Sequence, residues 1–383
     1  MNGDRRAYKG MRVIGALLIC LVITGCWDST NLETVDYATA VGVEYKEGKF
    51  IVYTQLVDFA SIAKSEGGEN RAAKVWIGRG VGPTFYGAYS ELLRTAQTEM
   101  NTEQLKTVII RDNAVEKLDE ILDALNRVRV SRYTSWVFGT TGPIEDILTT
   151  STFFAMPQTT SLIYSPRDQM RRANLIDPLS MQHFVARYNE GAATVLLPVV
   201  GVSTRMWQEQ TQPVKMQVIQ GMFAIKRKGS ATLFPLAEMN GVKWVNPNFT
   251  RYLMPIAGDG ANKATIAVND VKQKVRVDVS KKEPVFTIKL SVVGEVAEIG
   301  GHMSQKQIVA RMKQVIKEEV LDTYRKGLAK GEDLYNLEEA LYRRHVGLWR
   351  KLTHERDGWL PGEDDLIVDV SFRLRGSGVF GLS

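Results

Sequence analysis

The sequence predicts an α+β fold: three mixed sheet-and-helix domains after a cleaved lipoprotein signal peptide. Three observations carry that expectation. In the first half, short β-branched runs alternate with amphipathic stretches of about ten to fifteen residues, the pattern of a sheet covered by helices. In the last third, strictly alternating runs flank long helical stripes. Both cysteines lie in the first 26 residues of a 383-residue chain, so no disulfide staples the body and packed cores must hold it.

A chain that is 44% hydrophobic and 24% charged is globular rather than disordered. Its net charge of +6 includes +3 from Asp4, Arg5, Arg6, Lys9 and Arg12. An excess this small, spread over the whole length, does not mark a nucleic-acid binder.

The basic stretch ending at Arg12 precedes the apolar run Val13 to Ile23. Eleven residues rise ~16 Å against a ~30 Å hydrocarbon core, which suits a signal peptide over 1–25 better than a permanent span. Ile23-Thr24-Gly25-Cys26 resembles a lipobox, with small residues before a cysteine that is lipidated and becomes the new N-terminus. Cys26 is the expected lipid attachment site, and Trp27 would lie at headgroup level, where indoles favour the interface. Two acyl chains at ~0.8 kcal/mol per buried methylene give stable anchoring where one is marginal. The expected partner is thus a membrane, reached through the N-terminal diacylglycerol.

The first domain is expected over 26–190. Tyr37 to Tyr45 and Phe50 to Val57 read as a hairpin around Lys46-Glu47-Gly48-Lys49, followed by a loop over Lys64 to Ala73. Pro83 precedes a helix reaching about Met100. The pattern continues with a strand at Thr107 to Ile110, a helix from Val115 to Arg127, a strand at Ser135 to Gly139 and a helix at Ile144 to Leu148. Pro157 and Pro166 mark a loop before a helix containing Gln182 to Tyr188.

A small middle domain is expected over 191–262. Ala193 to Val200 is an apolar strand interrupted by Pro198, the mark of an edge or a bulge, and Val214 to Ile225 follows. The C-terminal α+β domain is expected over 263–383. Lys274 to Ser280 and Val285 to Val293 alternate as half-buried strands. Ser304-Gln305-Lys306-Gln307 has capping-box form and opens a long helix. Asn336 caps a second helix carrying Leu341, Leu348, Trp349 and Leu352 before a strand at Asp365 to Leu374.

Chemistry-bearing motifs are scarce. His183, His302, His345 and His354 are dispersed and open no metal-ligand spacing, so no metal or cofactor is expected. No GxSxG or SxxK frames a serine, and no cysteine follows Cys26. Gly78-Arg79-Gly80-Val81-Gly82 completes no phosphate loop and reads as a flexible turn; Gly258 to Lys263 reads as a linker. Asp119-Glu120, Glu318-Glu319, Glu338-Glu339 and Asp364-Asp365 read as solvated faces rather than acid–base pairs. Arg343, Arg344, Arg350, Lys351 and Arg356 make a wet basic surface. No catalytic residue is assigned, and an enzyme is not expected.

Cys26-Trp27-Asp28, followed by Tyr37-Ala38-Thr39-Ala40-Val41-Gly42-Val43, resembles the start of mature Ger(x)C spore germination lipoproteins. In the same order, Lys106 to Ile110 with a helix ending Arg127-Val128-Arg129 resembles the family's first domain. Gly221-Met222-Phe223 with Leu236, Glu238, Gly241 and Trp244 resembles its middle stretch, and Trp349 with Phe372 to Gly378 its C-terminus. Asn31 and Gln104 depart from the family's usual glutamate and histidine.

The resemblance implies a non-catalytic C subunit of a nutrient germinant receptor, on the outer face of the spore inner membrane, working with integral A and B membrane subunits in receptor assembly and germination signalling. The competing expectation is a lipid-anchored extracytoplasmic solute-binding protein.

Overall fold

The computed structural model describes residues 35–57, 75–127, 133–150, 152–173, 177–227, 231–258, 260–281, 283–356 and 358–375. The signal peptide, Cys26 and the whole of the Lys64 to Ala73 segment lie outside them.

Strand β1 (Val35–Lys46) turns through Glu47 and Gly48, both at positive φ, into β2 (Lys49–Val57), which pairs onward with β3 (Val75–Gly82). Helix α1 (Phe85–Leu93) is capped by Thr84, whose Oγ1 accepts from Gly87 N at 3.0 Å. It lies directly on β3: a Cβ on Gly80 or Gly82 would meet the Ala88 backbone, and one on Gly78 would meet Leu92. The glycine run expected as a flexible turn is therefore an edge strand, its glycines required by close approach of a helix. The helix also stops short of Met100. The Thr95 hydroxyl takes the Leu92 carbonyl, and β4 (Glu99–Asn101) pairs in parallel with the start of β1.

Next come β5 (Thr107–Arg111), α2 (Leu118–Arg127), β6 (Trp136–Thr140), α3 (Ile144–Leu148), α4 (Pro166–Ala173) with proline in its first position, β7 (Leu179–Ser180) and α5 (Met181–Tyr188). Then follow β8 (Val195–Ser203), the small hairpin β9 (Gln208–Glu209) and β10 (Gln212–Pro213), β11 (Met216–Ile225) and β12 (Ala231–Pro235). The long sheet runs β12-β11-β8-β6-β5-β1-β2-β3.

The strands placed by sequence in a separate middle domain therefore continue the first sheet. Gly139 of β6 bridges Val199 of β8 in parallel, and β11 and β12 add antiparallel strands beyond. The expected boundary near 190 does not break the sheet. Pro198 lies in an interior strand, paired with Met222 of β11 and adjoining the single bridge by which β8 meets β6.

Both faces of this sheet are buried, so its strands are nearly continuous apolar runs. Val41, Val43, Val108, Ile110 and Val137 face α1, α2 and α5 with Leu118, Ile121 and Phe184. Ala40, Ile51, Tyr53, Ile109 and Phe138 face α3 and the 150–165 loop. That loop and the end of α3 are held by buried polar bonds: Thr107 Oγ1 donates to Ile163 O at 2.5 Å, Gln55 Nε2 donates to Leu148 O of α3 at 2.8 Å, and Tyr164 meets both Thr39 and Gln55.

After a short turn, α6 (Val242–Val245), the chain enters the second sheet: β13 (Tyr252–Ala257), β14 (Lys263–Asp278) and β15 (Val285–Gly300). Gly258 to Lys263, expected as a linker, falls between two paired strands, Ala257 of β13 pairing with Lys263 of β14; Asp259 lies outside the described residues. The Ser304–Gln307 capping box opens α7 (Gln305–Ala329) as the sequence predicts. Helices α8 (Leu337–Arg344) and α9 (Val346–Glu355) break at His345 where a single helix was expected, and β16 (Leu366–Leu374) closes the sheet in parallel beside β15. Ile308, Met312, Ile316 and Val320 of α7 pack on Phe286, Ile288, Leu290 and Val368, in a core that continues through Trp244 to Phe138 of the first sheet.

Candidate functional site

Cys26, the one site residue the sequence assigns, lies outside the described residues. Among the described residues no group of three or more His, Cys, Asp or Glu side chains could hold a metal, and no helix is long and apolar enough to cross a membrane. The most elaborate polar construction they form is the junction between the two sheets, built on the 332–339 segment and on the turn around α6.

Four acidic residues follow α7, and all four are buried: Glu332, Asp333, Glu338 and Glu339. Asp333 caps α8, its carboxylate accepting from Glu338 N at 2.7 Å and Tyr335 N at 3.2 Å. The other three reach the first sheet. Glu339 pairs with Arg187 of α5 at 3.0 Å and with Arg343 at 2.7 Å. Glu338 takes Lys226, at the end of β11, at 3.3 Å and the Trp349 indole at 3.0 Å. Glu332 accepts from Thr232 of β12 at 2.7 Å.

The solvated reading of Glu338-Glu339 is thus wrong. Glu332, Glu338 and Glu339 are taken out of water because Thr232 of β12, Lys226 at the end of β11 and Arg187 of α5, all at least 100 positions earlier, fold over them. Burial raises the carboxyls of Glu332, Asp333 and Glu338 above their ordinary range; Thr232, the backbone N–H groups of the α8 cap and Lys226 respectively lead the opposing pull. No local sequence signal marked Asp333, because the same side chain reads equally well as an exposed turn residue.

The turn around α6 docks on α7 through a second set. Gly241 N donates to Thr323 Oγ1 at 2.9 Å, and the Thr323 hydroxyl donates to Glu238 O at 3.2 Å. A Cβ on Gly241 would stand 2.5 Å from Glu319 O and 2.7 Å from Val320 Cα, so only glycine lets the two backbones approach. Trp244, fully buried, donates its indole N–H to Glu319 Oε2 at 2.6 Å. Lys243 reaches the same carboxylate at 3.0 Å and lies over the rings of Trp244 and Tyr252. Burial lowers the Lys243 pKa, and Glu319 opposes that shift.

The spacing of Leu236, Glu238, Gly241 and Trp244 is therefore the imprint of one docking surface. What this arrangement does chemically is fasten: acids meet bases and donors meet acceptors.

Two family models match the chain, "Spore germination protein N-terminal domain" over residues 28–202 and "Spore germination B3/ GerAC like, C-terminal" over 220–378. Among curated proteins of Bacillus subtilis (strain 168), it is 26% identical to the putative spore germination protein YfkR over 49% of this chain and 48% of that one, so the match spans about half of that relative. It is 20% identical to spore germination protein YndF over 92% of this chain and 93% of that one, and 18% identical to spore germination protein A3 over 60% and 67%. The crystal structure of the GerBC protein superposes with a TM-score of 0.55 at 14% identity, covering 88% of this chain and 97% of that one, which shows a shared α+β fold. With both halves matched in order and the fold in agreement, the chain belongs to the Ger(x)C family of spore germination proteins.

Proposed function

We propose that this chain is a non-catalytic, lipid-anchored subunit of a nutrient germinant receptor, tethered through Cys26 to the outer face of the spore inner membrane and required for receptor assembly and germination signalling. The observation that carries this reading is the junction. The Arg187–Glu339 ion pair, the hydrogen bond from Thr194 N to Asn336 Oδ1, and a hydrophobic core shared by both sheets join the two family domains into one body. Such a body transmits displacement from one end to the other.

The anchor supports the same reading. Confinement to a membrane plane raises the effective concentration of the chain near integral A and B subunits without any new contact. The test replaces Cys26 with alanine in the full chain. Lipid labelling disappears and germination through the cognate receptor falls sharply, while co-purification of wild-type protein with A and B subunits from spore membranes identifies its partners. Normal germination from processed, unlipidated protein refutes the anchored role. A thermal shift with free amino acids or sugars, ~2.7 kcal/mol at a hundredfold excess over Kd, would instead support a solute-binding protein.

A further inference from the structure

Between the β13–β14 connection and α7 lies a cavity of about 450 Å³, walled by Ala257, Gly258, Asn262, His302, Gln307 and Arg311, with Met303 beneath. None of the described residues lining it is acidic. Arg311 stands in its wall with Nε sealed from solvent and no hydrogen-bond partner. Arg111 also has a sealed, unbonded Nε, but its Nη1 meets Glu44, and Arg187, Arg343 and Arg356 likewise meet carboxylates, whereas Arg311 meets none among the described residues. A charged donor left unmade in a sealed position is costly, and its ordinary remedy is an anion.

The surroundings agree. Asn262 uses its Oδ1 to accept from His302 N at 3.0 Å, and Gln307 uses its Oε1 to accept from Ser304 N at 2.9 Å, so each keeps an amide NH2 group as donor. Lys306, Lys313 and Lys317 flank the cavity on the next stripe of α7, and the first carboxylate along the helix, Glu318, is engaged by Gln314 Nε2 at 2.8 Å. This half of α7 carries cations and no acid, although the positive end of a helix favours acids. The positive field is therefore concentrated where the unpaired guanidinium stands.

We propose that this cavity binds an oxyanion, the carboxylate or phosphate group of a small molecule or of a lipid headgroup, gripped by the Arg311 guanidinium with Asn262 and Gln307 as neutral donors. The site is separate from the junction and independent of the receptor reading.

The test uses the full chain in detergent micelles with inorganic phosphate and acetate as probes. Isothermal titration gives saturable binding of at least one probe, and that probe slows phenylglyoxal modification of Arg311, followed by peptide mass spectrometry. Arg311→Gln weakens binding by about tenfold or more, the loss of a charge-assisted bond. Arg311→Lys, which keeps charge and stem, retains part of it. If phosphatidylglycerol vesicles shield Arg311 and the free anions do not, the oxyanion is a headgroup phosphate. Unaltered Arg311 modification with every probe, or equal binding by Arg311→Gln, overturns the proposal; where that variant fails to fold, shielding in the wild-type protein decides.

Discussion

The backbone N–H of Thr194 donates to Oδ1 of Asn336 at 2.8 Å, joining the segment that enters β8 to the turn that starts α8. Asn336 holds a left-handed conformation, φ 55° and ψ 41°, which asparagine tolerates better than most residues. Asn336→Gly keeps the backbone and loses the bond, at about 1 kcal/mol. Asn336→Ala loses the same bond but keeps a Cβ in the left-handed region without the polar side chain that makes asparagine tolerate it, for a total of about 2–3 kcal/mol. Urea unfolding that places both variants at equal cost would disprove the conformational share.

Glu319 serves two donors, Trp244 Nε1 and Lys243 Nζ. Glu319→Ala leaves a buried ammonium without its counter-charge and costs about 3–5 kcal/mol. Glu319→Leu combined with Lys243→Met removes both charges together and costs less than Glu319→Ala alone. A double-mutant cycle by chemical denaturation measures the coupling.

Gly241 and Gly139 are packing glycines. The Phe223 ring covers the place where a Cβ on Gly139 would stand, and Glu319 O lies 2.5 Å from a Cβ on Gly241. Alanine at either position costs about 1–3 kcal/mol through overpacking. By contrast, alanine at Gly191, which has open space around it, leaves the melting midpoint within a degree or two.

Burial raises the carboxyls of Glu332, Asp333 and Glu338 in the folded chain. Their contribution to stability is therefore complete below their ordinary values of 4.5 for glutamate and 3.8 for aspartate, and is lost as pH climbs through the raised folded values. Glu332→Gln keeps the Thr232 bond to its carbonyl oxygen and removes a charge that burial disfavours. The variant is expected to lose less stability than wild type as pH rises above the ordinary glutamate value of 4.5, read from melting curves at increasing pH. An unchanged slope would refute the assignment.

Much of the architecture was legible locally. Alternation in Val285 to Val293, the hairpin around Gly48 and the capping box at Ser304 are short-range facts, because side-chain period and orphan N–H groups are satisfied within a few residues. The docking motif was visible only as a spacing. Its cause became apparent when Gly241 and Trp244 met Thr323 and Glu319, 82 and 75 positions away.

The amino-acid order by itself determined the family and most of the strands and helices, since each depends on neighbours in the chain. Only the tertiary structure decided that β8, β11 and β12 extend the first sheet, that Glu338 and Glu339 are buried against Lys226 and Arg187, and that Arg311 faces a cavity without a partner. Strand partners and counter-charges are chosen by long-range closure, and a carboxylate or guanidinium looks the same in sequence whether water or another side chain receives it.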